Sequence, residues 1–423
     1  MIELVLMAII MVYAAAFFLL ENLERAALSL VWSSLLLQAA LYPHVSHNPC
    51  AILWGGNLGL RVDSTAVLTA LVLTALGAIF LTYALESGRR DSYLPWAAVL
   101  LGSELVVVYS PSLLQMLIFL ELVALSCWRL AGPEKKAGTK ALATLSLGIA
   151  IGVCGVLTKN APGDTRFLCI AFTSLVIGAQ FPLYSWFMDA AATFPASAFI
   201  GTGTTVMGPY LLMRSLSALN PSERAFAPVA VAVAVTLVLT GLAYLGQREG
   251  RKLLMYAVIA NTSTVYVALL VILLGGQGNE IARHLVIIST PVVGLAFLTT
   301  DAIKRCHGTT DIDRVRGLRE TPPLAYSWAI SVFGLAGLPP FGKSHLLIEA
   351  ASLYSNPLGT LLALLLLANS VAFLYSGIRS INLMVFSDGR EEPLKRTVGV
   401  PLALLATLSF GLAVALNYLM GVP

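Results

Sequence analysis

The feature that most constrains this chain is the recurrence, along its whole length, of apolar stretches about twenty residues long separated by short polar connections. The hydrocarbon core of a bilayer takes about 20 mostly apolar residues per α-helix, so each stretch is a candidate membrane span. The spans fall near residues 2–20, 26–42, 64–85, 94–109, 112–130, 138–158, 167–188, 196–218, 225–245, 253–274, 281–303, 325–353, 358–378 and 398–420. That pattern predicts an all-α polytopic membrane protein with about fourteen transmembrane helices. Composition agrees: 58% of the residues are hydrophobic and only 11% are charged. A soluble protein carries roughly 25% charged residues. An ordinary soluble enzyme and a disordered chain are both excluded. The span near 325–353 is too long for one helix and contains Gly337-Leu-Pro-Pro340. Paired prolines remove backbone donors, so a helix broken within the membrane is expected there.

The 26 Lys and Arg residues test the span count. Nineteen fall in odd-numbered connections and six in even ones, with Lys343 inside the broken span. The positive-inside rule then puts the odd connections in the cytoplasm and both termini outside. The net charge of +4 therefore reflects topology, and no basic run supports nucleic-acid binding. The first run, Ile2–Leu20, reads as a transmembrane helix rather than a signal peptide. The five cysteines, Cys50, Cys127, Cys154, Cys169 and Cys306, lack metal-ligand spacing. No cofactor or metal site is expected in this chain, and no connection is long enough for a soluble catalytic domain. The whole of 1–423 reads as one transmembrane domain.

Five segments carry a resemblance, in order along roughly residues 55–355. They are Leu60-Arg-Val-Asp63; Leu117-Ile-Phe-Leu-Glu-Leu-Val-Ala-Leu-Ser126; Ala179-Gln-Phe-Pro-Leu-Tyr-Ser-Trp186 with Asp189-Ala and Pro195-Ala-Ser-Ala198; Arg251-Lys-Leu-Leu-Met-Tyr256; and Asp311-Ile-Asp-Arg-Val-Arg-Gly-Leu318 followed by Leu335-Ala-Gly-Leu-Pro-Pro340. The third is the most specific. Together they resemble the antiporter-like membrane subunits of complex I, Mrp-type cation/proton antiporters and energy-converting hydrogenases. The resemblance implies two inverted five-helix repeats, each with a broken helix, near Gln180–Pro182 and Leu338–Pro340. The parts would be N-terminal helices over 1–110, a first repeat over 111–245, a second over 246–385 and a C-terminal helix over 386–423.

The departures from that family pattern bear directly on function. A buried lysine before the "AQFP" motif is replaced by Ile177. In the run Gly201-Thr-Gly-Thr-Thr-Val-Met-Gly208, Gly201 stands at a family histidine and Met207 at a family lysine. Val293 or Val292 stands at the lysine of the eleventh helix. Three central lysines of the family's proton wire are thus apolar here, and Lys343 lies near the fourth.

Charge in hydrocarbon costs several kcal/mol, so each remaining ionisable group needs a reason. By resemblance Glu121 is the family's buried glutamate, without the lysine that pairs with it. It is either a proton carrier or a carboxylic acid held by a hydroxyl. Glu104 is central in its span, and the two glutamates either share a proton or face different sides. His284, Lys343, His345 and Glu349 form a second group: an exit half-channel to the outside, or the lining of a wet crevice or subunit interface. Asp189, Asp311, Asp313 and Arg314 read as helix caps or contacts to neighbouring subunits. Thr202, Thr204 and Thr205, and Asn261 to Thr264, read as packing hydroxyls or holders of water. Tyr184, Trp186 and Trp328 read as interfacial anchors or packing.

The resemblance implies a membrane-arm subunit of a complex I-like, redox-driven, proton- or sodium-translocating complex in the cytoplasmic (inner) membrane of a prokaryote. Its partners would be other membrane subunits and the lipid bilayer. Flavin or iron–sulfur clusters would belong to partner subunits. Two mechanisms stay open: translocation through Glu104, Glu121 and Lys343, or a degenerate spacer. Two other assignments also remain, a subunit of an Mrp-type antiporter and a membrane coupling subunit of an inorganic-carbon uptake complex.

Overall fold

The computed structural model describes residues 24–47, 50–55, 58–86, 94–131, 135–158, 160–192, 196–273, 278–341, 357–387 and 396–419. The span expected at 2–20 and the segment holding Lys343, His345 and Glu349 lie outside these residues. With few charges to solvate, the backbone satisfies itself within helices. Among the described residues, seven helices are long and apolar enough to cross a membrane: Ser64–Glu86, Leu113–Leu130, Lys136–Leu157, Glu223–Gly246, Gly250–Val271, Ala282–His307 and Pro357–Met384. Shorter apolar helices cover Leu28–Ala40, Pro95–Tyr109 and Pro401–Ala415. The chain divides into two units, 1–179 with 185–225, and 180–184 with 226–423.

In the first unit, α1 (Glu24–His47) is followed by an antiparallel hairpin, β1 (Cys50–Gly55) and β2 (Leu58–Val62). The expectation of an all-α chain therefore misses one hairpin. Its signal is short: two apolar runs either side of Gly55-Gly-Asn, which is turn chemistry. The helices α2 (Ser64–Glu86), α3 (Leu94–Tyr109), α4 (Leu113–Leu130), α5 (Lys135–Leu157) and α6 (Gly163–Ile177) follow, and successive ones pack on each other. After the short α7 (Ser185–Ala190) and α8 (Ala196–Phe199), a π-helical turn (Ile200–Thr204) leads into α9 (Thr205–Leu219), which packs against α6.

Small residues bring α5 and α6 together. A Cβ at Gly152 would lie 2.5 Å from the Thr173 hydroxyl, and one at Gly155 2.5 Å from the Cys169 Cβ. Thr173 in turn donates to the Gly148 carbonyl at 2.7 Å. Close backbone approach of this kind is how membrane helices associate where no hydrophobic drive separates protein from lipid.

The hairpin end of this unit is held by side chains. Gln115 acts as a strand partner for β2, accepting from the Gly59 N–H at 2.9 Å and donating to its carbonyl at 3.0 Å. Asp63 caps α2 by accepting from the Ala66 N–H at 2.9 Å. It also accepts two bonds from Arg214 of α9, at 2.6 and 3.0 Å. Arg214 donates further to the Tyr210 hydroxyl, which donates to the Val108 carbonyl at 2.8 Å. One fork thus ties α2, α3 and α9.

The second unit contains α10 (Ala227–Gly246), α11 (Gly250–Leu273), α12 (Gly278–His307), α13 (Pro322–Ala336), α14 (Pro357–Met384) and α15 (Arg396–Leu419). α12 packs against α11, α13 and α15, and α14 packs against α10 and α13. Hydroxyls in these apolar helices return their protons to the carbonyl one turn back, as Thr262 does to Val258 and Thr299 to Leu295, both within 3.0 Å. Asn369 of α14 donates to the Leu237 carbonyl and to the Thr240 hydroxyl of α10, both at 2.8 Å. Trp186 and Trp328 have no exposed surface, so they pack rather than anchor at an interface. The Trp186 indole donates to the Val176 carbonyl at 2.8 Å and the Trp328 indole to Ser380 at 3.0 Å.

Helix α13 stops where the sequence says it must. Gly337 takes φ 80°, its N–H reaches the Gly334 carbonyl, and the Leu338 N–H reaches Phe333. Pro339-Pro340 follows with a cis bond.

The Asp63 carboxyl is pushed up by burial but held below its ordinary value of 3.8 by Arg214 above all, then by the Ala66 N–H and Arg61. A lowered folded-state value means its stabilisation is complete above about pH 4 and fades as the pH falls further. Asp63→Asn leaves the Arg214 side chain, 10% exposed, without its carboxylate, at an expected cost of about 3 kcal/mol at neutral pH. Unfolding in detergent, wild type against variant, checks both: the difference should be flat from pH 7 to about pH 4.5 and shrink below about pH 4.

Candidate functional site

Burying a carboxylate usually demands a cation or several donors beside it. Glu104, in the middle of α3, has neither among the described residues. Its exposure is 0%, and neither side-chain oxygen has a hydrogen-bond partner among the described residues. The space it fills is made by Gly203: a Cβ at that position would sit 2.2 Å from each carboxyl oxygen. Gly203 belongs to the π-helical turn, an insertion of the kind that recurs at functional sites. Beside it, the Thr204 hydroxyl and the Cys127 thiol of α4 are 3.3 Å apart. Thr202 and Thr205 bond back to the carbonyls of Ala198 and Gly201, at 2.6 and 2.7 Å. The site is therefore a carboxyl group lodged in a glycine-made gap at a widened helical turn. Such a group exchanges a proton only with water or a side chain that reaches it.

Glu121 is placed differently. It is half-buried on α4, and the Ser146 hydroxyl of α5 donates to it. Ile118, one turn back, and the adjacent Leu122 are exposed. Each glutamate thus has its own surroundings, and no direct hydrogen bond of the proton-sharing kind is present between them among the described contacts. Ser146 was the partner the sequence did not single out, because a serine in an apolar helix carries no mark of what it faces.

The three positions where the resemblance implies lysine are filled by packed side chains. Ile177 at the end of α6 is 2% exposed, Met207 on α9 is 0% and Val293 on α12 is 4%. Val292 packs so tightly on α13 that a Cβ at Gly334 would lie 2.6 Å from it. His284 is half-buried near the start of α12. Asp301 on the same helix is buried and paired with Arg305 one turn on, at 2.7 Å. Its i,i+4 spacing to an arginine is a pairing signal readable in the sequence.

The break after α6 belongs with the second unit. Ala179 takes φ 53° and the Phe181–Pro182 bond is cis. Side chains hold it: Thr236 accepts from the Phe181 N–H at 3.0 Å, and Ser263 donates to the Gln180 side-chain Oε1 at 2.6 Å. Within the run Asn261 to Thr264, Ser263 is the hydroxyl bonded to the break, through the Gln180 side chain. The aspartates at helix ends are ion-paired. Asp189 meets Lys140 at 2.6 Å, Asp311 meets Arg314 at 3.4 Å, and Asp313 meets Arg379 at 3.4 Å.

Residues 163–374 match a family model described as NADH:quinone oxidoreductase/Mrp antiporter, transmembrane. The chain is 29% identical over 378 residues to NADH-quinone oxidoreductase subunit 14 of Thermus thermophilus, covering 83% of each. It is 23% identical over 399 residues to the Na(+)/H(+) antiporter subunit A1 of Staphylococcus aureus, covering 81% of this chain but only 50% of that one. Its fold superposes on a chain of the Mrp complex from Dietzia sp. with a TM-score of 0.86 at 16% identity, over 99% of this chain and 95% of that one.

Gly203→Ala should force the Glu104 carboxyl out of its gap and destabilise the protein by about 1–3 kcal/mol, the usual cost of overpacking. Glu104→Ala in the same chain should recover most of that loss. A double-mutant cycle by thermal unfolding in detergent reads the coupling, expected at about 1 kcal/mol or more. Additive effects would mean the two groups do not meet.

Proposed function

This chain belongs to the NADH:quinone oxidoreductase/Mrp antiporter transmembrane family, and on that premise we propose that it is a membrane-arm subunit of a redox-driven, ion-translocating complex whose own ion channel is interrupted, so that it serves as a coupling spacer. The single observation that carries the second half is the burial of Ile177, Met207 and Val293 where the family pattern has lysine. A proton wire needs a titratable group or a water at every hop, and cavities lined by apolar side chains stay dry. Glu121, held by Ser146, and Glu104, in its glycine gap, are then isolated acids rather than links in a chain.

The rest of the reading follows the same premise. About fourteen spans in two inverted repeats place both termini outside. The membrane is the cytoplasmic membrane of a prokaryote. The neighbours are other membrane subunits, and flavin or iron–sulfur centres reside in those partners. The likeness across 83% of the Thermus subunit favours the redox-driven assignment. A second reading, a subunit of an Mrp-type antiporter, is favoured by the fold match to the Dietzia complex.

Affinity purification of the tagged full chain from its native membrane separates these. Flavin and iron–sulfur absorbance in the purified complex supports the redox machine. Small membrane subunits with no redox centre assign the antiporter. Within a redox complex reconstituted in vesicles, Glu121→Gln and Glu104→Gln should leave the ratio of ions moved to electrons transferred unchanged. A lost or reduced ratio, with assembly intact, overturns the spacer.

A further inference from the structure

Only six of the 26 Lys and Arg residues fall in even-numbered connections: Arg61, Lys159, Arg166, Arg214, Arg224 and Arg283. Three of those six, Arg61, Arg166 and Arg214, line one cavity of about 560 Å³ in the first unit. The insertion bias disfavours cations on that side of the membrane, so three arginines gathered at one place call for a local cause. They come from three separate elements: β2, the first turn of α6 and α9.

Their charges are not balanced within the cavity wall. Asp63 is the carboxylate that Arg214 and Arg61 share, bound by Arg214 through two bonds and by Arg61 at 3.1 Å. Arg166 has no carboxylate partner among the described residues; its Nε donates to the Gly155 carbonyl at 3.3 Å. The nearby Asp164 is turned to Ser222, accepting from its N–H at 2.7 Å and its hydroxyl at 2.6 Å. Three guanidinium groups are therefore set against two nearby carboxylates, Asp63 and Asp164, of which only Asp63 bonds any of them, a surplus that an anion would relieve.

The wall also contains Leu113, Met116 and Val156. The cavity sits where helices end, at the α3–α4 connection Ser110–Ser112 and the last turn of α9, the level at which lipid headgroups meet a spanning protein. Guanidinium forks match phosphate geometry, free or on a lipid headgroup. We infer that this cavity binds a phosphate group, that of an anionic phospholipid, with Arg166 and Arg61 on the phosphate and the apolar wall along the first carbons of the acyl chains. Arg214, fixed by Asp63 and Tyr210, supplies field rather than a free fork. Whether the chain conducts ions has no bearing on this site.

Native mass spectrometry of the full chain in detergent, titrated with phosphatidylglycerol, tests it. Saturable binding is expected, and Arg166→Gln should raise Kd about tenfold, the loss of one charge-assisted contact. Arg61→Gln should weaken binding in the same direction. Arg61 is exposed and Arg166 half-buried, so both variants should keep the wild-type helical circular dichroism. Phosphatidylcholine, whose choline cation offsets the charge of its phosphate, should bind more weakly. Inorganic phosphate that binds alone, with the same dependence on Arg166, supports the phosphate site and assigns it to the free anion. Equal phosphatidylglycerol binding by wild type and both variants, or equal binding of the zwitterionic lipid, overturns it.

Discussion

In hydrocarbon a backbone N–H or C=O without a partner costs several kcal/mol, and nearly every feature of this protein answers that constraint. Helices satisfy it within themselves. Where a helix must stop, side chains take over. Thr236 receives the Phe181 N–H and Ser263 fixes Gln180 at the first break, while Gly337 folds the end of α13 back on its own carbonyls. Threonines and serines inside the helices return their hydroxyls to the preceding turn, as Thr262, Thr264 and Ser331 do. The polar residues of an apolar chain are thus used locally before any is left for transport.

The same constraint gives the two glutamates their meaning. Glu121 meets a hydroxyl, the least demanding partner for a carboxyl group. Glu104 meets a glycine and a widened turn instead of a charge. Neither has a basic partner among the described contacts, and the positions from which lysines would supply one hold Ile177, Met207 and Val293. A family scaffold that carries ions elsewhere is, in this chain, packed shut at three of its central points. The spacer reading rests on that packing.

Ion pairs are concentrated at the helix ends, where water and headgroups lower the cost of charge. Asp63 and Arg214 join α2, α3 and α9 at one end of the first unit. Asp311, Asp313, Arg314 and Arg379 do so among the polar connections of the second. The arginine-lined cavity belongs to the same pattern, with one difference: its positive charge exceeds its negative charge, which is what a structural ion pair avoids and an anion site needs.

Much of this was legible in the sequence because the signals are local. Apolar runs of span length set the helices, Pro339-Pro340 and Gly337 set the end of α13, and the motif from Ala179 to Trp186 marked the first break and the family. The absence of lysine at Ile177, Met207 and Val293 was visible as well. The hairpin before α2 was missed because two short strands in a loop have no periodicity long enough to stand out. What the sequence by itself determined is the class of environment, the helical character and the lineage, since these depend on residues close together in the chain. Only the tertiary structure decided that Gly203 opens the space for Glu104 across about a hundred residues, that Ser146 holds Glu121, and that Arg61, Arg166 and Arg214 face one cavity. Those facts rest on which helix faces meet, and in uniformly apolar helices hydrophobicity does not say which face turns inward.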